Sequence, residues 1–189
     1  MDYERLSSLI AVEMAQKPSL LVAIDGRCGA GKTTVAAKLA DEFDCNVIHT
    51  DDFFLPPEKR TPERLATPGG NIDIERFIDE VIVPLKSGMA FSYRPYDCHT
   101  DTFKTPVQVT PKKLTVIEGS YSCHPEIVDS YGLRVFVDID PKTQLERIAV
   151  RNGEDAVRVF ESRWIPLEEK YFVAYAVKER CDIVVESGV

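Results

Sequence analysis

The sequence predicts an α/β fold, a three-layer sandwich in which a parallel sheet has helices on both faces. Short apolar runs alternate along the chain with stretches whose apolar residues recur at helical spacing, the pattern of strands joined by crossover helices. The first of these runs leads through a glycine-rich turn directly into a helix. The chain of 189 residues, 44% of them hydrophobic, fits one compact domain, 1–189, with a full core.

The individual elements follow from the spacing of the apolar residues and from the chain breakers between them. A helix over 3–17 ends before Pro18, and the first buried strand covers 20–24. Further strands are predicted over 46–49, 114–117, 134–139 and 182–185. Further helices are predicted over 33–43, 74–86, 124–130, 141–152 and 156–179, the last interrupted near Pro166.

Two regions break the alternation of strands and helices. Residues 55–71 contain four prolines and a Gly-Gly pair, which predicts a surface loop without regular structure. Residues 91–110 carry aromatic and alternating residues typical of a β-hairpin inserted between elements of the sheet. Because ligands of such sheets bind beyond the carboxyl ends of the strands, we expect the hairpin on the substrate side.

A phosphate-binding P-loop follows the first strand, with Gly26-x-x-x-x-Gly31-Lys32-Thr33 between the strand and a helix. The glycines allow consecutive amides to point at one anion, and the helix N-terminus adds partial positive charge. Lys32 is expected to contact the outer phosphates and Thr33 to bind magnesium. The fold is therefore predicted to be that of a P-loop NTPase that binds ATP and Mg²⁺. The predicted nucleotide-binding residues are Gly26, Arg27, Cys28, Gly29, Ala30, Gly31, Lys32, Thr33 and Thr34.

Two adjacent acids, Asp51 and Asp52, follow the second predicted strand and should lie at the ligand edge of the sheet. Phosphoryl transfer to a hydroxyl needs a group that orients the acceptor and takes its proton, and a carboxylate does both. Since adjacent side chains point in different directions, only one of the two can face the acceptor. We expect Asp51 to be the catalytic base, with a helix cap or turn as the alternative role.

Acids also end two other strands. Glu118 ends the run 114–117, an arrangement that places a carboxylate beside the P-loop magnesium, directly or through water. Asp140 precedes Pro141 at a helix start, which is typical of an N-cap followed by proline at the first helical position. We therefore expect Glu118, with Thr33, to be the metal ligand and Asp140 to be structural.

Arg147 and Arg151 are spaced i, i+4 on the predicted helix 141–152, so they share one face and repel unless an anion compensates. A triphosphate would compensate them, which predicts a catalytic role, and a surface pair with Glu154 is the alternative. Gly153 opens a short segment, 152–163, that we expect to move over the nucleotide as a lid.

Net charge, the length of apolar runs and the cysteine pattern exclude several classes of partner and location. A net charge of −8 argues against a broad nucleic-acid or anionic-membrane surface. No apolar run is long enough to span a membrane and no signal-peptide pattern is present, so we expect a cytoplasmic protein.

The five cysteines include no C-x-x-C pair and are expected to be reduced. The dipeptides Cys98-His99 and Cys123-His124 could offer zinc ligands, but adjacent residues chelate poorly.

The motifs together resemble the uridine kinase family of P-loop kinases, which has relatives in phosphoribulokinase and bacterial pantothenate kinase. The matching residues cover most of the chain in the order typical of that family. They are the P-loop, Asp51-x-Phe53, Asn71-x-Asp73, Tyr96-Asp97, Glu118-Gly119 and the helix that carries Arg147 and Arg151.

The resemblance implies a role for each matching residue. Asp51 would be the base, Asp73 would hold sugar hydroxyls, and Tyr96 would line a nucleoside pocket. The substrate half departs from the family. Phe54 stands where a tyrosine is usual, and His99 comes earlier than the histidine that reads the base, but both are expected to bind the substrate. Members of the family often assemble into homo-oligomers, and their acceptors are small molecules.

The expected function is transfer of the γ-phosphate of ATP, with Mg²⁺, to a hydroxyl of a small metabolite, with the 5′-hydroxyl of uridine or cytidine favoured. Another hydroxyl acceptor, such as pantothenate or a sugar derivative, is the alternative within enzymes. A switch module that hydrolyses nucleotide slowly is the alternative from another class. The paired acids and the inserted hairpin speak against a switch, since a switch needs no acceptor pocket.

Overall fold

The computed structural model describes residues 2–187 and confirms the three-layer α/β fold. The strands are β1 (Leu20–Gly26), β2 (Cys45–His49), β3 (Phe91–Tyr93), β4 (Tyr96–Asp97), β5 (Thr102–Phe103), β6 (Val107–Val109), β7 (Leu114–Glu118), β8 (Leu133–Asp138) and β9 (Ile183–Glu186). The helices are α1 (Asp2–Gln16), α2 (Lys32–Glu42), α3 (Pro62–Ala66), α4 (Ile74–Phe77), α5 (Val83–Ser87), α6 (Pro141–Asn152), α7 (Glu154–Val159), α8 (Ile165–Tyr175) and α9 (Val177–Arg180).

The main sheet has five parallel strands in the order β2-β7-β1-β8-β9. Since all five run the same way, their carboxyl ends share one edge. Glu118 at the end of β7 lies opposite Ile24 of β1 and His49 of β2. The P-loop, Asp51 and Glu118 therefore meet at this edge, as the strand-end positions of the motifs predict.

The hydrophobic core has one part on each face of the sheet, because successive residues of a buried strand point to opposite faces. Val22 and Ile24 of β1 pack with Leu6 of α1 and Leu39 of α2. On the other face, the core contains Ala23 of β1 and aromatic residues. These include Phe53, Phe77, Phe136, Tyr171 and Phe172.

The insertion at 91–110 consists of two nested antiparallel pairs. β3 pairs with β6, and the shorter pair of β4 with β5 lies between them along the chain. The ring of Tyr93 in β3 packs 5.4 Å from that of Phe53, which attaches the hairpin to the core beside Asp51. The predicted hairpin is thus confirmed.

Two predicted segments differ from the structure. The loop 55–71 contains a 3-10 turn at Pro57–Lys59 and the short helix α3, because Thr61 caps the helix by accepting from the Arg64 amide and Pro62 occupies its first turn. The predicted helix over 124–130 is wrong, since only a 3-10 turn at Val128–Ser130 forms. The segment between β7 and β8 closes in tight turns instead, with the Ile127 and Val128 amides donating to the His124 carbonyl.

Two π-helical turns join consecutive helices into longer rods. Ile78–Ile82 joins α4 to α5, and Phe160–Trp164 joins α7 to α8. Each is followed two residues later by a proline, Pro84 or Pro166. A proline has no amide for the preceding turn, so a local change of hydrogen-bond pattern lets the helix continue past it. The helix predicted over 156–179 is therefore interrupted just before Pro166. Helix α8, which contains this proline, ends at Ala176, where φ is 49°.

Candidate active site

A cavity of about 1830 Å³ opens at the carboxyl edge of the main sheet. The P-loop forms its floor, and Asp51 and Glu118 line it beside the loop. Arg147 and the segment around Trp164 line the opposite wall. Most of the predicted site residues thus border one space, large enough for a nucleotide and a second small molecule.

The P-loop backbone needs glycine where it leaves the sheet. Gly26 has φ of 136°, and a Cβ there would lie 2.1 Å from the Val137 carbonyl oxygen. The loop then exposes Cys28 to Thr34 along the cavity. The Lys32 ammonium donates to the Gly26 carbonyl at 2.7 Å and the Arg27 carbonyl at 3.0 Å, so it lies against the loop where phosphates would bind.

Arg27 is turned away from the cavity, although the motif predicts it among the nucleotide-binding residues. Its guanidinium donates to Asp138 at 2.8 Å and pairs with Glu169, while its amide donates to the Val137 carbonyl at 3.2 Å. The Gly26 amide donates to Asp25 at 2.7 Å and is likewise engaged within the protein. The part of the loop that borders the cavity begins at Cys28.

Thr33 and Glu118 lie together, as predicted for a magnesium site. The Thr33 hydroxyl donates to the Glu118 carboxylate at 3.0 Å, and His49 Nδ1 lies 2.6 Å from the same oxygen. A hydroxyl and a carboxylate are the hard oxygen ligands that Mg²⁺ prefers, and both border the cavity beside the P-loop, so these residues fit the ion. The hydrogen bond to Glu118 raises the pKa of His49, despite its partial burial.

Asp51 and Asp52 have different environments. Asp51 is exposed to the cavity, where loss of hydration raises the pKa of its carboxyl and Lys32 opposes that rise. Asp52 accepts a hydrogen bond from the Tyr93 hydroxyl at 3.1 Å, and its carbonyl accepts from Arg76 at 2.8 Å. Only Asp51 is therefore placed to meet a second molecule in the cavity.

The two arginines of α6 both line the cavity. Arg147 donates to the Ser187 hydroxyl at 2.5 Å and to the Gly29 carbonyl at 3.4 Å, which places its charge beside the P-loop. Arg151 donates to Asn152 at 2.7 Å and lies 6.0 Å from the ring of Phe160 at the lid. At the start of α6, Asp140 accepts from the amides of residues 142 and 143, which confirms it as a structural N-cap.

Apart from Asp51, the structure separates the residues predicted to bind the acceptor into two groups. Phe54 and His99 line the cavity beyond Asp51. Asp73 and Tyr96 do not line it and are buried. Both oxygens of Asp73 accept from the Lys59 ammonium at 2.9 Å, and the Tyr96 hydroxyl donates to Asp101 at 2.7 Å. Their expected contacts to a nucleoside would require these bonds to be exchanged.

Several side chains of the site were not predicted from the sequence. His49 contacts Glu118 because β2 and β7 are neighbours, which only the strand order reveals. Arg60 lines the acceptor end of the cavity and donates to the Leu55 carbonyl at 2.8 Å. Glu168 of α8 reaches the P-loop from 140 residues away, where its carboxylate accepts from the Cys28 amide.

Within 2–187, no group of three or more His, Cys, Asp and Glu side chains is arranged to hold a metal ion. Cys98 is exposed and Cys123 is buried. Over the same range, no helix combines the length and the apolar character that crossing a membrane requires.

Curated relatives carry the names of two kinds of kinase, although no family model matches the chain. The uridine kinase of Geobacillus kaustophilus is 27% identical over 161 residues, which cover 79% of this chain and 74% of that protein. The uridine kinase of Halobacterium salinarum is 27% identical over 187 residues, 90% of this chain and 81% of that protein. A phosphoribulokinase of Synechocystis is 25% identical and covers 88% of this chain and 53% of its own length.

Solved structures share the fold. A possible uridine kinase from Bacillus stearothermophilus superimposes with a TM-score of 0.73 at 22% identity, covering 97% of this chain and 96% of that one. A candidate fructose transport system kinase from Silicibacter also reaches 0.73, at 19% identity, covering 98% of this chain and 99% of that one. The strand order and the strand-end motifs agree with these comparisons: the chain has the fold of P-loop kinases and is similar over most of its length to uridine kinases and to a phosphoribulokinase.

Proposed function

We propose that this protein transfers the γ-phosphate of ATP to a hydroxyl group of a small molecule. The observation that carries the proposal is the position of Asp51, which faces the same cavity as the P-loop and Glu118. A carboxylate there can orient an acceptor hydroxyl toward the outer phosphate and accept its proton. The raised pKa of Asp51 brings it closer to the range in which a general base works.

The other residues of the cavity have supporting roles in this mechanism. The amides from Cys28 onward and the Lys32 ammonium hold the phosphates, and Arg147 adds positive charge beside Gly29. Thr33 and Glu118 would hold Mg²⁺, which supplies neutralisation of phosphate charge when bound. Because the transition state of phosphoryl transfer is loose, most of the rate should come from positioning and charge, with the base as one contribution.

For the acceptor, we propose a pyrimidine ribonucleoside that is phosphorylated on its 5′-hydroxyl. The names of the curated relatives support this choice. A sugar derivative or another small alcohol is the second candidate. One observation supports it. Asp73 is paired with Lys59 and does not line the cavity, while polar side chains on the acceptor side include Arg60, Asn71 and His99. With either acceptor, we propose that the protein acts in the cytoplasm.

The test is ADP release with ATP and Mg²⁺ against a panel of uridine, cytidine, other nucleosides, pantothenate and sugars. Lys32→Ala protein serves as the blank. Stimulation by uridine or cytidine, with the monophosphate identified by its mass, would support the nucleoside. Stimulation by a sugar alone would favour the second candidate. Equal ATP turnover with and without every compound would contradict phosphotransfer and favour a nucleotide-dependent switch.

A further inference from the structure

Glu168 is a buried carboxylate that the mechanism above does not use. It lies in α8 with only 5% of its surface exposed. One oxygen accepts from the Cys28 amide at 3.0 Å, and the other accepts from the Ser120 hydroxyl at 2.5 Å. The Ser120 oxygen in turn lies 3.4 Å from the Lys32 ammonium. Glu168 thus contacts the P-loop directly and its lysine through one hydroxyl.

The partners of Glu168 are unusual for a buried acid. Buried carboxylates are normally paired with a cation, because removing a charge from water is costly. Among the residues that the structure describes, no basic side chain forms an ion pair with Glu168, and its neighbour Glu169 takes Arg27 instead. The Cys28 amide, the Cys28 thiol and the Ser120 hydroxyl compensate the charge of Glu168 in part.

The amide that Glu168 occupies belongs to the loop that we propose to hold the phosphates. Cys28 is the first P-loop residue that lines the cavity, and Glu168 lines the same cavity. A carboxylate and a phosphate cannot share this space without repulsion, which is strong where water is partly excluded. Phosphate binding and the observed contact of Glu168 with Cys28 therefore oppose each other.

Helix α8 is attached to the P-loop at more than one point. The Tyr171 hydroxyl donates to Asp25 at 2.9 Å, directly before the loop, and Glu169 pairs with Arg27. The lid segment continues directly into α8, and its residues Phe160 and Arg163 line the cavity. A change at the Glu168 contact would therefore be transmitted along α8 to the lid.

We propose that Glu168 is a positioning residue that couples α8 and the lid to the occupancy of the P-loop by phosphate. Phosphate displaces the carboxylate from the Cys28 amide, and α8 shifts with it. This inference depends on the proposed function only in that a nucleotide phosphate binds the loop. It predicts that the charge of Glu168 weakens nucleotide binding.

The test is calorimetric titration of Mg-ADP into the wild type, Glu168→Gln and Glu179→Gln. Glutamine keeps the size and the acceptor oxygen of Glu168 but removes its charge, so Glu168→Gln should bind Mg-ADP about tenfold more tightly. Glu179 is exposed on α9 and its variant changes the net charge equally, so its affinity should match the wild type. Equal or weaker binding by folded Glu168→Gln would overturn the proposal, because a purely structural residue would not improve affinity when altered.

A second measurement uses the wild type alone and does not depend on the folding of a variant. Hydrogen exchange of the amides in Ile165–Tyr175 should change on saturation with Mg-ADP, while exchange in α1 stays the same. Unaltered exchange in Ile165–Tyr175 would overturn the proposal. Neither measurement needs the phosphate acceptor. A wild type that binds no Mg-ADP would instead contradict the proposed function, so the two failures are distinguishable.

Discussion

At the residue scale, Asp51 and Asp52 offer a matched pair, because they are adjacent carboxylates with different partners. Asp51 faces the cavity, whereas Asp52 accepts from the Tyr93 hydroxyl. Asp51→Asn should lower the turnover number by about a hundredfold, the size expected for loss of a general base. The measurement is ADP release with the acceptor found in the panel.

Asp52→Asn is the control for that experiment and should stay within a few fold of the wild type. Calorimetry with Mg-ADP should show that both variants still bind nucleotide, since neither side chain forms a hydrogen bond or an ion pair with Lys32 of the P-loop. Full turnover by Asp51→Asn would remove the base assignment. A larger loss in Asp52→Asn than in Asp51→Asn would transfer the role to Asp52.

His124 predicts a pH dependence of stability. Its side chain is buried, with 6% of the residue exposed, and this burial lowers the pKa to about 4 from an ordinary 6.5. The unfolded chain therefore binds a proton between these values that the folded protein does not bind. Stability contributed by neutral His124 is present above pH 6.5 and is lost as the pH falls toward 4, by about 3 kcal/mol in total.

The measurement is urea unfolding of the wild type and His124→Asn between pH 7 and pH 4. Asparagine can still accept the hydrogen bond that His124 Nδ1 takes from the Glu126 amide, but it does not titrate. The free energy of unfolding of the wild type should fall relative to the variant over this range. Parallel curves for the two proteins would show that His124 is not the group responsible.

Site residues could be predicted from the sequence where their position follows from neighbouring residues in the chain. The P-loop, Asp51 and Glu118 could be placed because each directly follows or ends an apolar strand, and the N-cap Asp140 because Pro141 follows it. Other contacts join distant parts of the chain. His49 reaches Glu118 across 69 positions and Glu168 reaches Cys28 across 140, and only the folded structure brings such residues together.

At the element scale, we predict that the segment between α6 and α8 moves over bound nucleotide. Gly153, with φ of 88°, joins α6 to α7, and a Cβ there would meet nothing within 4 Å. Arg158 and Arg163 are exposed beyond it. If the lid closes over bound phosphates as predicted, a non-hydrolysable ATP analogue should slow tryptic cleavage after these arginines severalfold.

Cleavage after Lys86, exposed at the end of α5 and outside the cavity, serves as the internal reference. It should proceed at the same rate with and without the analogue. Equal protection at both places would indicate general stabilisation of the protein. Unchanged cleavage in the lid would contradict closure.

Elements were predicted well where packing and sequence pattern agree. The buried strands of the main sheet and helix α6 lie within one or two residues of their predicted bounds, because apolar runs and clear caps mark them. The failure at 124–130 has a different origin. Apolar residues there contribute Ile127 and Val128 to the core from tight turns, so burial alone did not imply a helix. The π-helical turns have no periodicity that a pattern of apolar residues could reveal.

At the scale of the whole molecule, ligand binding should raise thermal stability through mass action. Mg-ADP at a hundred times its dissociation constant adds about 2.7 kcal/mol. For a chain of this length, that corresponds to an increase in Tm of about 5–10 °C. Lys32→Ala should lose most of this increase, because the ammonium beside the Gly26 carbonyl is the main cation of the loop.

Differential scanning calorimetry of three proteins tests this prediction. Lys86→Ala removes an equal charge from an exposed position and should show the same increase in Tm as the wild type. An undiminished increase in Lys32→Ala would mean that nucleotide binds outside the P-loop. No increase in the wild type would argue against nucleotide binding as a whole.

The π-helical turn at Phe160–Trp164 makes the length of this part of the chain important as well as its composition. Such a turn accommodates one residue more than a regular α-helical turn. Each residue of a helix advances it by about 100° of rotation, so deletion of a single codon here would rotate α7 and α8 relative to each other by that amount. Because α8 is anchored by buried Tyr171 and Phe172 whereas α7 buries none of its residues, α7 would turn and Glu168 would stay at Cys28. Among relatives, a gap of one residue at this turn would therefore mark proteins whose lid turns a different face toward the P-loop.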